Sequence, residues 1–407
     1  MSAAERLMRY CRIDTQSDPD SGTHPSARKE FDLADMLVKE LKELGLTDAA
    51  VDEHCYIYAH LPSNLKHPAK TVGFIAHMDT APDFSGSGVN PRLIEAYDGG
   101  DIVLGNGRIT RISDFPAMKQ LSGKTLIVTD GNTLLGADDK AGITSIMEVL
   151  AYYRAHPEAP HGPVSIAFTP DEEIGEGALF FDVKKMNADF AYTMDGGTVA
   201  ELSDETFNAS SASVTVKGVA IHPGSAKNRM KNAVLIAAEF VSLLPAALTP
   251  AHTEGKEGFI HVEKLEGDIA HAELQLILRD HDAEKLRGYE NLVKHAAEFL
   301  NLQYGEGTVS VNVEAGYRNM QEVLRNYPQV SALAMRAIRE IGYEPQNIPV
   351  RGGTDGSAIS FMGLPCPNLG NGGGNFHGPH EYCVVEELED AVKLIRRIIE
   401  LTAEEDL

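Results

Sequence analysis

The stretch TVGFIAHMD, residues 71–79, carries the pattern on which the fold prediction rests. Its apolar beginning is typical of a buried strand, and His77 and Asp79 follow that run directly. A helical pattern covers residues 141–155, between the apolar runs at 124–129 and 164–169. Three later stretches repeat the short apolar run that leads into acidic residues, namely KTLIVT (124–129), VSIAFT (164–169) and DFAYTM (189–194). This alternation predicts an α/β sheet covered by helices.

The residues that follow these runs are the candidates for a binding site. Asp138 and Asp139 follow the second run after a short loop, Glu172 and Glu173 follow the third, and Asp195 follows the fourth. In open α/β sheets, ligands bind outside the carboxyl ends of the strands. If the four runs share one sheet, their acidic residues converge on one crevice.

A glycine-rich stretch late in the chain, residues 368–381, adds His377, His380 and Glu381 to the candidates. Carboxylates in one crevice repel each other unless a positive charge neutralises them, and imidazoles among them favour a carboxylate–imidazole metal site. Each motif alone has an ordinary explanation as a hydrogen-bonded pair, the first turn of a helix or a plain turn. Their coincidence at consecutive strand ends predicts a hydrolytic centre with two metal ions.

The domain organisation follows from a change of pattern near residue 208. From there the sequence predicts a strand at 211–218, a helix at 230–244, a strand pair, a helix at about 282–300 and a strand at 308–315. This β-α-β-β-α-β order is that of a ferredoxin-like module. We therefore expect a catalytic α/β domain with a mixed sheet, formed by residues 1–207 and 317–407. An inserted α+β domain, residues 208–316, would serve as a lid.

Composition excludes several classes of protein. The 407 residues include 60 acidic and 36 basic side chains, which give a formal net charge of -24. Such a charge repels a phosphate backbone, so we expect neither nucleic acid nor a membrane surface as a partner. The chain has four cysteines, none in a CxxC pair, and its first residues lack the apolar core of a signal peptide. These features favour a cytoplasmic location.

Eight stretches spread over nearly the whole chain resemble those of the M20 metallopeptidase family. The segment RGGTDG is the most specific of these matches and points to the subfamily of tripeptide aminopeptidases. The stretches are HMDTAPDFSG (77–86), TLLGADDKAG (133–142), AFTPDEEIG (167–175), MDGG (194–197), IHPGSAK (221–227), LRDHD (278–282), RGGTDGSAISFMGLPCPNL (351–369) and HGPHEY (377–382).

The resemblance implies a set of metal ligands. One zinc ion would be bound by His77 and Asp195 and a second by Glu173 and His377, with Asp138 bridging them. The family pattern Ala-Asp-x-Lys selects Asp138 over Asp139, and the glutamate four residues on selects His377 over His380. Whether Asp139 or His380 has a role at the site stays open. The ligand types suit Co²⁺ or Mn²⁺ as well as zinc.

The resemblance also implies catalytic residues, and the chemistry of arginine adds two candidates for substrate binding. Glu172 would be the general base, and Asp79 would orient His77 from behind. His222 of the inserted domain would reach the active site and help to stabilise the oxyanion. Arg279 and Arg351 are candidates to bind a peptide carboxylate, although each could equally form a structural salt bridge.

These features predict a zinc aminopeptidase that releases the first residue of short peptides, most of all tripeptides. The same metal site would suit a dipeptidase, a carboxypeptidase or an N-acyl amino acid deacylase of the M20 family. A non-catalytic peptide-binding protein that keeps its metals would not need Glu172. The sequence leaves open whether two copies pair through the lid domain.

Overall fold

The structure is a computed structural model that describes residues 1–404. In chain order its helices are α1 (Ala3–Cys11), α2 (Glu30–Glu43), α3 (Ala137–Ala155), α4 (Val183–Met186), α5 (Ala233–Leu243), α6 (Ala283–Tyr304), α7 (Gln321–Leu324), α8 (Pro328–Glu340), α9 (Asp355–Phe361) and α10 (Val385–Glu404). Among the described residues, none of these helices is both long and apolar enough to span a membrane.

The strands are mostly short, as expected for a sheet with many loop connections. In chain order they are β1 (Ala50–Val51), β2 (Ile57–Leu61), β3 (Val72–His77), β4 (Arg92–Ile94), β5 (Ile102–Val103), β6 (Ile109–Thr110), β7 (Leu126–Val128), β8 (Val164–Thr169), β9 (Phe190–Gly196), β10 (Glu201–Ser203), β11 (Asn208–Lys217), β12 (Phe259–Gly267), β13 (His271–Asp280), β14 (Val309–Ala315), β15 (Gln346–Asn347), β16 (Asn368–Gly370), β17 (Gly373–Gly374) and β18 (Tyr382–Val384).

Eight strands form one mixed sheet in the order β1-β2-β8-β3-β9-β16-β10-β15. Its centre is parallel, because β3 pairs in parallel with both β8 and β9, while β2 pairs antiparallel with β8. The predicted α/β class with a mixed sheet is confirmed. Parallel pairing brings the carboxyl ends of β3, β8 and β9 to the same edge of the sheet.

Helices cover both faces of this sheet, which explains why its central strands are continuously apolar. Phe74 of β3 packs in the larger cluster with residues of α2, α3, α8 and α10. The next residue, Ile75, packs on the other face in a cluster that includes Met186 of α4 and Ile359 of α9. Because side chains alternate along a strand, the two clusters share β3 without sharing residues.

The strand predicted at 124–129 exists, but it does not belong to this sheet. As β7 it pairs antiparallel with β4 and β18 in a separate four-stranded sheet of order β17-β18-β7-β4. The premise that all four runs share one sheet is therefore wrong for this run. An apolar run indicates burial and does not reveal which strand will be its neighbour. Asp138 reaches the site from the first turn of α3 instead.

The second region has the predicted β-α-β-β-α-β order, β11-α5-β12-β13-α6-β14. Its strands form an antiparallel sheet in the order β12-β13-β11-β14. With the four strands numbered along the chain, this is the order 2-3-1-4, as the ferredoxin-like prediction requires. Its core consists of apolar side chains from the sheet and from α5 and α6.

The chain divides into two compact units. Unit 1 consists of Met1–Asp204, Met320–Ile348 and Thr354–Leu407, of which residues 405–407 lie outside the described part. Unit 2 consists of Glu205–Asn319 and Pro349–Gly353. The short segment Pro349–Gly353, which we assigned to the catalytic domain, packs with unit 2. Arg351 in this segment donates hydrogen bonds to the carbonyl oxygens of Gly255 and Glu257, both in unit 2.

Candidate metal centre

The ends of the central strands carry the first part of the site. His77 is the last residue of β3 and stands opposite Thr169, the last residue of β8, in the parallel register. Asp195 lies near the end of β9. After β8 the chain enters a short 3-10 turn, Glu172–Ile174, so these acids follow the strand end directly. Three strands of one sheet therefore place four candidate side chains at one edge.

His77 is surrounded by carboxylates. Its Nε2 lies 3.0 Å from Oδ1 of Asp138 and 3.7 Å from Oδ1 of Asp195. Its Nδ1 lies 3.2 Å from Oδ1 of Asp79 and 3.1 Å from the backbone oxygen of the same residue. The His77 side chain is only 2% exposed. Its Nδ1 is thus held by Asp79, while its Nε2 faces the two candidate ligands.

His377 forms the other side of the site. Its Nε2 lies 3.0 Å from Oε2 of Glu173 and 3.6 Å from Oδ2 of Asp138. The residue adopts a positive φ of 62°, and its side chain is 46% exposed. A loop conformation, rather than a strand end, therefore brings this imidazole to the carboxylates.

Asp138 lies between the two imidazoles. Its Oδ1 faces His77 and its Oδ2 faces His377. A carboxylate that uses one oxygen on each side has the geometry of a ligand shared by two metal ions. These two contacts are the most informative about metal binding at the site, because a single ion pair would not require both oxygens of Asp138.

Asp79 holds more than His77. Its Oδ1 accepts a hydrogen bond from the backbone N–H of Glu172 (3.0 Å), and its Oδ2 accepts one from the N–H of Glu173 (3.2 Å). The side chain is fully buried. Asp79 therefore fixes the turn that carries both glutamates as well as the orientation of the imidazole.

The electrostatics show how strongly charge is concentrated here. Hydrogen bonds with Asp138 and Glu173 raise the pKa of His377 to about 11. Burial and the charge of Asp138 raise the pKa of Glu173 to about 8 and that of Asp195 to about 6. Burial, followed by the charge of Asp195, raises the pKa of Glu172 well above its usual range. Burial also disfavours ionised Asp138, but its hydrogen bonds with the two histidines outweigh burial and lower its pKa.

The donor set fits divalent metal ions. Ligand atoms of His77, Glu172 and Asp195 lie within 4.8 Å of one another, and so do those of His77, Asp138 and Glu173. Oε1 of Glu173 is buried and has no hydrogen-bond partner. A buried carboxylate oxygen without a donor is costly, and a metal ion would remove that cost.

Comparison with known proteins assigns the family. The sequence profile described as peptidase family M20/M25/M40 matches residues 128–401. The chain is 49% identical to peptidase T of Halothermothrix orenii over 401 residues, which cover 98% of each chain. The chain belongs to the M20 peptidase family. It is an enzyme of the metallo-aminopeptidase type, and the predicted resemblance to this family and its peptidase T subfamily is confirmed.

Solved structures share the fold of this M20 chain. The crystal structure of an aminopeptidase PepT from Bacillus cereus superposes with a TM-score of 0.78 at 24% identity, over 98% of each chain. That of a tripeptidase from Staphylococcus aureus has a TM-score of 0.78 at 23% identity, over 99% of this chain and 98% of that one. At this identity the likeness concerns the fold.

Two carboxylates support the M20 site in ways that the motifs did not reveal. Glu381 is buried and accepts four backbone hydrogen bonds, from Leu135 and Gly136 at Oε2 and from Ala137 and Asp138 at Oε1. It thereby fixes the backbone that presents Asp138. The only sequence signal was its place in HGPHE, which we used to choose between two histidines.

The second supporting carboxylate is Asp355, in the segment RGGTDG. It is buried and accepts a hydrogen bond from Oγ1 of Thr169 at 2.7 Å. Burial raises its pKa to about 7. Its link to Thr169 at the end of β8 gives this family-specific segment a structural role beside the site.

The two residues left open by the motifs lie in different surroundings. Asp139 is buried; its Oδ1 accepts hydrogen bonds from the N–H of Gly142 and from Nδ2 of Asn371. His380 lies against Thr110, whose Oγ1 is 2.8 Å from its Nδ1, and against the ring of Phe115. Oδ2 of Asp139 also accepts a hydrogen bond from the backbone N–H of His77 at 3.3 Å, so Asp139 supports the backbone of a candidate ligand, whereas His380 has its contacts with Thr110 and Phe115.

The remaining candidates lie in unit 2. His222 is exposed and its Nδ1 accepts a hydrogen bond from the N–H of Gly224 at 3.1 Å. Arg279 donates from Nη1 to the carbonyl oxygens of Ser210 and Leu278. Arg351 donates from both terminal nitrogens, to Gly255 and Glu257 as described above and to Oγ1 of Thr253.

Proposed function

We propose that this chain is a zinc-dependent aminopeptidase that releases the N-terminal residue from tripeptides. The substrate class is supported by the names of its relatives, a peptidase T at 49% identity and a tripeptidase of the same fold. The reaction type is supported by the geometry around Asp138. Its two oxygens face two imidazoles, each of which has a further carboxylate beside it.

The proposed ligands follow from those contacts. His77 and Asp195 would bind one ion, Glu173 and His377 would bind the other, and Asp138 would bind both. Two ions bound there would polarise the scissile carbonyl group and acidify the attacking water. Asp79 would hold the ring of His77 and the turn of the two glutamates in place, since it contacts all three.

We propose Glu172 as the general base. In this role its carboxylate takes a proton from the attacking water and then passes it to the nitrogen of the leaving peptide. Glu172 is held by the same turn as Glu173 but is not needed as one of the five ligands. Its position beside His77 and Asp195 supports the assignment of Glu172 as the base and Glu173 as a metal ligand.

Replacement of Glu172 by Gln tests this role. The amide keeps the size of the side chain and loses its basicity, so turnover should fall by at least about 10²-fold, the lower end for loss of a general base. Metal content, measured by mass spectrometry, should stay at that of the unaltered chain. Loss of a metal ion, or turnover within tenfold of normal, would show that the base is misassigned.

Unit 2 would contribute to the same reaction as a lid. Because Gly224 donates to Nδ1 of His222, a neutral imidazole there carries its proton on Nε2 and can donate it to an oxyanion. His222→Ala should then lower kcat by about 10²–10³-fold with little change in KM or metal content. A near-normal kcat in the folded, metallated variant would contradict this role.

Two arginines of unit 2 are proposed to bind the substrate carboxylate. Arg279 uses Nη1 for its two hydrogen bonds, and its guanidinium faces the ring of Tyr317. Arg351 uses both terminal nitrogens within unit 2, and its guanidinium faces the rings of Phe207 and Phe259. These contacts of Arg351 also suit a purely structural role.

A peptide series tests the function as a whole. The zinc-loaded protein is incubated with di-, tri- and tetrapeptides, free or blocked at either end, and the products are identified by mass spectrometry. Release of the first residue from free tripeptides supports the proposal. Cleavage of dipeptides, release of the last residue, or hydrolysis of N-acylated amino acids would assign one of the other M20 activities instead.

A further inference from the structure

A second cluster of metal-binding side chains lies outside the proposed two-metal centre. Ligand atoms of His24, Asp171 and Glu176 all lie within 4.8 Å of one another. Nδ1 of His24 is 3.1 Å from Oδ2 of Asp171 and 3.8 Å from Oε2 of Glu176. The side chains of His24 and Asp171 are 6% and 0% exposed, whereas Glu176 is 47% exposed.

Two buried atoms of this cluster have no hydrogen-bond partner. They are Nδ1 of His24 and Oδ1 of Asp171. Although Nδ1 approaches Asp171, the geometry does not form a hydrogen bond. Oδ2 of Asp171, the oxygen nearer to His24, accepts a hydrogen bond from the N–H of Ser26 at 2.7 Å. Buried polar atoms are almost always satisfied, so the orphaned Nδ1 of His24, which is directed at the carboxylates, indicates a missing partner at this cluster.

The second ring nitrogen of His24, Nε2, has a hydrogen-bonding partner, as is usual for an imidazole that binds a metal ion through its other nitrogen. Nε2 of His24 lies 3.0 Å from the hydroxyl of Tyr56, which also accepts a hydrogen bond from the N–H of Phe180. The ring packs between the rings of Tyr56 and Phe180, at centroid distances of 5.6 and 5.0 Å. Imidazole ligands are usually fixed through their second nitrogen in this way. The packing keeps Nδ1 directed at the two carboxylates.

Negative charge is in excess at this cluster. Asp171 and Glu176 place two carboxyl groups beside one imidazole. The neighbouring Glu30 adds no charge, because burial and the charges of Asp79 and Asp171 raise its pKa to about 10. Among the ion pairs of residues 1–404, Asp171 has His24 as its partner and no lysine or arginine. A cation is the simplest group that would satisfy both the orphaned imidazole nitrogen and the two carboxyl groups.

We propose that His24, Asp171 and Glu176 bind a third divalent metal ion. The mixture of imidazole and carboxylate favours Zn²⁺, Co²⁺ or Mn²⁺ over Mg²⁺ or Ca²⁺. Ligands about 2.0–2.1 Å from a tetrahedral zinc ion lie about 3.3 Å apart, which matches the separations in this cluster. Glu176 is more exposed than the other two ligands, so water can complete the coordination.

The position of this ion suggests what it does. Asp171 and Glu176 stand at the two ends of the turn that carries Glu172 and Glu173, and the N–H of Glu176 already donates to the carbonyl oxygen of Asp171 at 3.0 Å. An ion bound by both side chains would crosslink the ends of this turn and join them to the segment around His24. It would act as a structural ion that rigidifies the turn and would take no part in the reaction.

Metal counting in matched variants tests the third site. Metal-free protein is saturated with Zn²⁺, freed of excess by gel filtration, and analysed by mass spectrometry for zinc per chain. His24→Gln and Glu176→Gln should each bind one ion fewer than the unaltered chain. His67→Gln and Glu53→Gln, at exposed positions outside the cluster, should bind the full number.

The measured quantity is a difference between variants, so it does not depend on how many ions the Asp138 centre holds. Glu176 is half-exposed, so its variant should fold even if the buried His24→Gln variant does not. The same ion should raise the melting temperature of the unaltered chain more than that of Glu176→Gln. An unchanged zinc count in Glu176→Gln, or in a folded His24→Gln, would overturn the proposal.

Discussion

The two sides of Asp138 are built differently. On one side, His77 and Asp195 come from the ends of neighbouring buried strands, and their side chains are 2% and 15% exposed. On the other side, Glu173 sits in a 3-10 turn, and His377 sits in a glycine-rich loop with 46% of its side chain exposed. The comparison teaches that one half of the centre is part of the core, whereas the other half depends on loop conformation.

The loop-built half is stabilised by buried carboxylates that accept backbone hydrogen bonds. Asp79 binds the turn of Glu172 and Glu173, and Glu381 binds four N–H groups leading to Asp138. The loops are thus attached to the core, although the side chain of His377 is 46% exposed, in contrast to that of Glu173 at 5%. We therefore expect the ion beside His77 to exchange more slowly than the ion beside His377.

The largest effect should come from His77→Ala. This change removes a proposed ligand, leaves Asp195 without an imidazole partner and leaves Asp138 with His377 alone. Loss of one partner of a buried pair costs about 3–5 kcal/mol. The metal-free variant should be destabilised by that amount in urea unfolding, and its activity should fall by about 10³-fold or more. A free energy of unfolding within about 1 kcal/mol of normal would contradict the core character of this half.

His377→Ala should separate activity from stability. The side chain is 46% exposed, so solvent screens its pairs with Glu173 and Asp138, and the metal-free protein should lose less unfolding free energy than it loses in His77→Ala. Activity should still fall by about 10²-fold or more, because one ion loses a ligand. Zinc analysis should show one ion fewer per chain. Retention of all ions would mean that His377 is not a ligand, and a large loss of stability would remove the contrast with His77.

The pH dependence should be smaller but should involve both halves. Burial lowers the pKa of His77, yet hydrogen bonds with Asp138, Asp195 and Asp79 outweigh it, so in the metal-free chain both His77 and His377 have raised pKa values. Both therefore hold protons at neutral pH, and metal binding must release them. Metal affinity should therefore already fall with decreasing pH around neutrality, since the pKa of His377 in the metal-free chain is about 11, and activity should decline together with metal occupancy.

Calorimetry in buffers of different ionisation enthalpy measures this proton release directly. We expect at least two protons to be released per chain near neutral pH when both ions bind, one from each imidazole, with a further contribution from Glu173, whose pKa is about 8. Release of no protons would contradict the raised pKa values. Full metal occupancy near pH 4 would contradict the ligand set, because histidine ligands are protonated there.

The sequence predicted the core-built half better than the loop-built half, for a physical reason. His77 and Asp195 follow apolar runs directly, so periodicity alone placed them at strand ends. The partners of β7 could not be predicted, because an apolar run does not specify its neighbours. Glu381 and Asp79 act mainly on backbone N–H groups, which every residue except proline has, so no side-chain pattern reveals that role. His377 was selected by family resemblance, since its placement needs a positive φ that spacing does not encode.

A crystal structure of the zinc-loaded protein, with anomalous differences collected above the zinc absorption edge, tests the central claim most directly. We predict two peaks about 3.5–4 Å apart, one on each side of Asp138 and each about 2.0–2.2 Å from one of its carboxylate oxygens. One peak should contact His77 and Asp195, and the other should contact Glu173 and His377. A single peak at this site, or a pair of peaks that Asp138 does not bridge, would contradict the two-metal account.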